Sequence, residues 1–399
     1  MGTATTAATP NRWLMLSVSM VGQVAGTLFV NAAPFLIPYL HLERGLTLVQ
    51  AGFVASAPLV GITLTLFGWG VVVDRLGERF SMVVGLGLVT LAALAAAWSD
   101  SLVALAAFLF IGGAAGGSTN SASGRIVVGW FPPDRRGFAM GIRQTGLPLG
   151  VGLAALLVPN LVKAEGLTAT LLVIAGACAV GTALCAALIV DPPRPDRTSA
   201  EAEQHLANPY RGDRRLVRIH AVSVLLVVPQ FTVWTYMLVW LIDAKDWTTT
   251  WASILVAVTQ LLGAAGRIGV GAWSDRVGSR LGPLRTVAVV AAATMLLLGA
   301  TEPTPVAILV IVVATVVTVA DNGLAFTAVA EIGGPFWSGR AMGIQNTGQY
   351  LTSAAVPPVV GAMVTGLGYG WSFALVALCP LLAVALVPRE PEVRRNPPN

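Results

Sequence analysis

Four ionisable side chains fall inside long apolar stretches of this sequence: Arg125, Arg143, Arg267 and Asp321. A charged group at the centre of a lipid-buried helix costs about 2.5–3.5 kcal/mol on insertion scales, so each needs a reason to stay. A buried guanidinium offers a planar fork of donors that pairs with a carboxylate through two parallel bonds. A lone carboxyl group in oil is suited to exchanging a proton whenever water reaches it. Arg267 and Asp321 are therefore candidates for the charge partner of an anionic solute and for a proton carrier. A fixed ion pair of Asp321 with Arg267 or Arg143 is the structural alternative. At about 1.5 Å per residue, Arg267 lies roughly 12 Å inside its span, whereas Arg125 and Arg143 lie roughly 9 Å from a helix end. From there a long arginine can snorkel to the headgroups.

Polar residues at helical spacing form a second set. Gln23, Thr27 and Asn31 step by four along the first apolar stretch, and Gln230 and Trp234 do so along the seventh. Asn120 and Ser123 precede Arg125, Asn322 follows Asp321, and Gln144 and Asn346 occupy matching places in the two halves. With Arg143 and Arg267, residues Gln23, Asn31, Asn120, Gln230, Trp234, Asn322 and Asn346 are the expected lining of a water-filled substrate cavity. Hydrogen bonding between helices is the other use of such residues.

Other chemistries find no support. Cys178, Cys185 and Cys379 sit in apolar runs without metal or disulfide spacing and read as packing residues. His41, His205 and His220 lie outside or at the edge of such runs, so neither a metal site nor a cofactor is expected. An intramembrane enzyme needs a convergent nucleophile, base or metal cluster, and a receptor needs a soluble domain. Neither pattern is present, and the chain is not expected to be an enzyme.

The elements that must position these groups follow from composition. Of 399 residues, 55% are hydrophobic and only 11% charged, with a mean hydropathy of +0.77. A soluble domain carries roughly a quarter of its residues as charges, so this is an all-α integral membrane protein. Twelve apolar stretches are read: 13–40, 48–73, 81–98, 102–130, 138–162, 168–190, 218–242, 251–273, 286–300, 305–330, 340–366 and 371–388. The polar stretch 191–217, with four prolines and mixed charges, reads as a linker. It divides the chain into six-helix bundles at 1–190 and 218–399.

Three of the 24 basic residues lie within spans. With the N-terminus in the cytoplasm, only Arg44, Lys163 and Lys245 fall outside, and the other eighteen, Arg197, Arg394 and Arg395 among them, fall inside. The positive-inside rule then puts both termini on the cytoplasmic face of a cytoplasmic membrane. The net charge of +5 thus reports topology rather than nucleic-acid binding. Residues 1–11 are polar and uncharged, so the first stretch is expected to stay as an anchor; residues 2–6 fit a myristoylation pattern short enough to arise by chance.

A repeat ties the halves together. Gly70-Val-Val-Val-Asp74-Arg75-Leu-Gly77-Glu-Arg79 returns as Gly271-Ala-Trp-Ser-Asp275-Arg276-Val-Gly278-Ser-Arg280, and Ala139-Met140-Gly141-Ile142 returns as Ala341-Met342-Gly343-Ile344. The first of these sequences, between spans two and three, resembles the signature of the major facilitator superfamily, and the likeness extends over twelve spans and two related halves. It implies two pseudo-symmetric six-helix bundles rocking about a mid-membrane substrate site. Asp74 would cap the positive end of span eleven near 338–340, and Asp275 that of span five near Gly137, with Arg75, Arg79, Arg276 and Arg280 pairing locally. These contacts would form only with the cytoplasmic side closed, which makes the six residues gating candidates. The resemblance adds Arg125, in the span where the superfamily often carries a basic residue linked to gating or proton coupling.

Gly266-Arg267-Ile-Gly269-Val-Gly271 resembles span eight of the oxalate/formate antiporter and monocarboxylate transporter families, in which, the resemblance implies, that arginine binds the substrate carboxylate. The departures are specific. Span eleven has no lysine, the monocarboxylate start of span one is missing, span five lacks an adjacent Gly-Pro pair, and span one lacks the acid of many drug exporters. The expected function is secondary active transport of a small organic anion, coupled to protons if Asp321 acts as read. The alternative is proton-driven export of a drug-like or secondary-metabolite molecule past Asp321 and Trp234. Partners are then a small solute, protons and membrane lipid.

Overall fold

The computed structural model describes residues 10–195, 198 and 206–389. Residues 2–6, Arg197, His205, Arg394 and Arg395, named above, lie outside the described residues. The helices are α1 (Arg12–Phe35), α2 (Ile37–Leu42), α3 (Leu48–Leu76), α4 (Glu78–Ala97), α5 (Leu102–Trp130), α6 (Arg136–Arg143), α7 (Gly146–Leu188), α8 (Arg215–Asp243), α9 (Thr249–Val277), α10 (Leu281–Thr301), α11 (Val306–Thr318), α12 (Asp321–Val376) and α13 (Leu378–Leu386).

Starts are written in the sequence. Asn11, Thr47, Ser101 and Thr248 each accept a backbone N–H from the first turn they precede, satisfying donors that would otherwise be orphaned. Thr47 and Gln50 complete a capping box. Nine stretches among the described residues are long and apolar enough to cross a membrane. Residues 133–188 fold back at Gly166 (φ 78°), and residues 306–386 break at Gly334 (φ 64°) and Gly368 (φ 79°). Those left-handed positions suit glycine and cut the chain into twelve spans.

Several spans are broken within the stretches read from the sequence. Span one stops at Phe35 and restarts at Ile37, because Pro38 lacks the N–H that would reach the Pro34 carbonyl. Span five stops at Arg143 and restarts at Gly146, and Pro148 removes the donor to Gln144 in the same way. Span ten ends as α11 at Thr318 and resumes at Asp321, with Ala320 turned back onto the Val317 carbonyl at 3.2 Å. No glycine or proline marks that break. The run of Val, Ile and Thr before it holds helix weakly. Span nine begins at Leu281 rather than 286, since Pro283 is tolerated in a first turn.

Contacts divide the chain into two compact units. One gathers residues up to 132, 143–207 and 333–347; the other gathers 133–142, 208–332 and 348 onward. In the first, Met15, Val73, Met82, Leu86 and Ile126 pack around Cys185. Cys178 and Cys185 are both fully buried, as packing residues should be. In the second, Met237, Met295 and Ile311 pack with Trp240 and Phe373, whose rings meet edge-on at 6.2 Å. Large apolar side chains such as Phe53, Leu64, Leu91, Leu261 and Leu309 are exposed, as a lipid-facing surface requires.

Candidate functional site

Asp74 lies in the last turn of α3, and its side chain is only 1% exposed. Its Oδ1 accepts the Gly339 N–H at 2.8 Å; its Oδ2 accepts the Arg340 N–H at 3.0 Å and Arg340 Nε at 2.9 Å. A carboxylate on free backbone donors is the favoured arrangement at a helix start. It requires the two backbones to touch, and a Cβ at Gly70 would stand 2.4 Å from the Gly339 carbonyl oxygen. Behind Asp74, Arg125 reaches its Oδ1 at 3.4 Å and Glu78 Oε1 at 2.6 Å. Arg194 donates to the Val73 and Asp74 carbonyls and to Glu78 at 3.2 Å.

The second unit repeats the device with different cations. Asp275 Oδ1 accepts the Gly137 N–H at 2.9 Å and Oδ2 the Phe138 N–H at 2.8 Å. A Cβ at Gly271 would meet the Gly137 carbonyl oxygen at 2.1 Å. Arg280 holds Asp275 at 2.6 Å and Glu331 at 3.3 Å, and Arg136 holds Glu331 at 3.5 Å. Local pairing of the remaining motif arginines does not occur as expected. Arg75 and Arg276 are exposed and reach no partner among the described residues, and Arg79 donates instead to the Ala186 carbonyl.

Nor do Arg125 and Arg143 snorkel. Both are buried, at 4% and 2% exposure, because carboxylates and carbonyls within the protein satisfy them better than a stretched exit would. Arg143 donates from Nε to Ser123 Oγ at 3.0 Å, from Nη1 to Gln144 at 2.5 Å and from Nη2 to the Asn120 carbonyl at 2.6 Å. Ser123 passes the chain on to Gln23 at 3.2 Å. Three of the expected lining residues, Gln23, Asn120 and Arg143, thus join one network in the first unit. Asn31 and Asn346 each turn back onto a carbonyl of their own helix, at 3.0 Å.

In the second unit Arg267 is 3% exposed, its Nε donating to the Val319 carbonyl at 3.3 Å. That oxygen sits at the break in span ten. The guanidinium carbon lies 5.9 Å from the centre of the Trp234 ring, and Trp234 packs on Phe231 at 5.4 Å. Asp321 opens the resumed helix, fully buried, and neither carboxylate oxygen has a hydrogen-bond partner among the described residues. Neither of the fixed pairs considered for Asp321, with Arg267 or with Arg143, brings it a hydrogen bond among the described residues. Asn322 donates to Gln230 at 2.9 Å and accepts from Gln349 at 3.0 Å, and Gln349 also donates to Ser223 at 2.7 Å. Helix α6 touches both functional levels of this unit: Gly137 rests on Asp275, and a Cβ at Gly141 would stand 2.7 Å from the Arg267 carbonyl.

The sequence profile of the Major Facilitator Superfamily matches residues 15–357. The chain belongs to this superfamily. It is a multi-pass membrane transporter. A relative described as an uncharacterized MFS-type transporter, from Mycobacterium tuberculosis, is 48% identical over 97% of this chain and 86% of its own length. The probable sulfoacetate transporter of Cupriavidus necator is 25% identical over 83% of this chain and 82% of its own. Among solved structures, the human organic anion transporter MFSD10 superposes with a TM-score of 0.74 at 19% identity, over 95% of this chain and 100% of that one, and so shares the fold.

Sequence reasoning about this transporter missed Glu78, Arg194 and Gln349 as partners, and the side chain of Arg340 within the segment 338–340 that it did name. Glu78 stands inside the repeated motif, and its counterpart Ser279 carries no charge, a mismatch that could have flagged it. The other three pair with residues 27 to 266 positions away, and no local spacing reports that.

Proposed function

We propose that this transporter moves a small organic anion, with Arg267 as the charge partner of its carboxylate. One observation carries the reading. A buried guanidinium is oriented by the Val319 carbonyl at a mid-span break, over an aromatic ring and near a carboxylate that has no hydrogen-bond partner among the described residues. Broken helices of this kind bring ion-binding backbone ends to the membrane interior. An incoming carboxylate pairs with the Arg267 fork, and Asp321 takes up a proton as access changes. Gln230, Asn322 and Trp234 flank the site, and Gln23, Asn120 and Arg143 form a separate polar network in the first unit. The anion named for the Cupriavidus relative and for the human structural neighbour supports the class of solute.

The bundles 1–190 and 218–399 act as the rocking bodies, 191–217 as their linker. Asp74 and Asp275, each on two backbone N–H groups, hold the cytoplasmic side shut, with Arg125 and Arg280 as their internal cations. Opening exchanges those bonds for water. The eighteen-to-three distribution of basic residues supports a cytoplasmic membrane with both termini inside. The alternative cargo, a flat drug-like molecule, draws on Trp234, whose ring N–H is buried without a partner beside Phe231. Uptake into proteoliposomes of a radiolabelled carboxylate panel that includes sulfoacetate tests both. Saturable uptake of an anion that Arg267→Ala abolishes is the expected result. Transport of neutral aromatic compounds, indifferent to Arg267→Ala and to added carboxylates, would replace this reading with the alternative.

A further inference from the structure

A cavity of about 550 Å³ opens in the second unit where α8 and α10 begin and α13 ends, and none of its lining residues belongs to the sites above. Four of them are arginines, Arg215, Arg218, Arg285 and Arg389, and none is acidic. Among the described residues one carboxylate pairs with a lining arginine: Asp213 with Arg215 at 2.5 Å. Two of these guanidinium groups are held in place by the unsatisfied carbonyls at the end of α13: Arg218 Nε donates to Leu386 at 2.8 Å and Arg285 Nη2 to Val387 at 2.8 Å. Arg285 Nε is buried and has no hydrogen-bond partner among the described residues. Like charges are thus kept together with a donor to spare, which suits a doubly or triply accepting oxyanion.

The flanks say which oxyanion. Val217 adjoins Arg218 on α8, Val289 lies one turn beyond Arg285 on α10, and Leu382 lies one turn before Leu386 on α13; all three are exposed apolar side chains. A free phosphate has no use for them, whereas acyl chains do. We propose that this cavity binds the phosphate of an anionic phospholipid, with the acyl chains lying along α8, α10 and α13. The site is independent of the transport reading and of any solute at Arg267.

Native mass spectrometry of the purified full-length transporter, titrated with phosphatidylglycerol, phosphatidylcholine or glycerol phosphate, tests the assignment. Phosphatidylglycerol is expected to be retained about tenfold better than phosphatidylcholine, and Arg215→Gln/Arg389→Gln to remove that preference by about the same factor. Equal retention of the two lipids, or an unchanged preference in the double variant, would overturn the proposal. So would displacement of phosphatidylglycerol by glycerol phosphate at equal concentration, which marks a site for free phosphate. Should the double variant fail to fold, Arg389→Gln alone, an exposed side chain, carries the same comparison.

Discussion

At the scale of single residues, the four intramembrane charges divide by how they are satisfied. Arg125 and Arg143 are each held by several acceptors within the protein. Arg267 donates to one backbone carbonyl and lies over a ring face, and the carboxylate of Asp321 has no hydrogen-bond partner among the described residues. The variant Arg267→Lys keeps the charge and loses the fork, so the apparent KM for a carboxylate should rise about tenfold or more while protein folding is unchanged. Concentration-dependent uptake measures it. Asp321→Asn should abolish accumulation driven by a proton gradient yet preserve exchange of labelled for unlabelled anion across equal pH. Counterflow and uphill uptake in the same vesicles separate the two. Both residues were legible in the sequence because a charge in an apolar run stands out. Gln349 was not, since an uncharged amide among Thr347, Gly348 and Tyr350 has nothing to set it apart.

At the scale of elements, the end of α3 shows how far a motif can be read. The aspartate and its duplicate follow from the repeat, and the partner segments near 338–340 and Gly137 from the resemblance to the superfamily. The cluster behind Asp74 does not, because Arg125 and Glu78 meet only once α4 and α5 pack side by side. Replacing Arg125 by Met leaves Glu78 and Asp74 buried with too little positive charge, a loss that for buried pairs is about 3–5 kcal/mol. A clear fall in the thermal midpoint of the purified transporter is expected. Arg75→Gln, a solvated position in the same turn, should leave the midpoint where it is. The break at Val319 and Ala320 was likewise hidden, since a weak helix former ends a helix only when its surroundings favour doing so.

At the scale of the whole chain, the twelve spans, the two related halves and the superfamily were legible because lipid forces helices and a duplicated motif leaves a fixed offset. What the duplication hides is divergence. Arg280 grips Asp275 in one copy, while its counterpart Arg79 has turned to Ala186 and Arg340 supplies the missing cation to Asp74. If the two aspartate caps are gates, Ser338, 1% exposed beside the Asp74 contact, becomes accessible only on opening. A Ser338→Cys variant should then react slowly with a water-soluble maleimide, and several times faster when Asp74→Asn is added; equal rates in both would argue against gating.

The sealed thiols of the first unit's core make that measurement practical. Cys178 and Cys185 offer a dye no route in. Exchanging Cys379 alone would yield a chemically silent background, on which one introduced sulfur at a time could act as a spectroscopic beacon for each stage of the cycle.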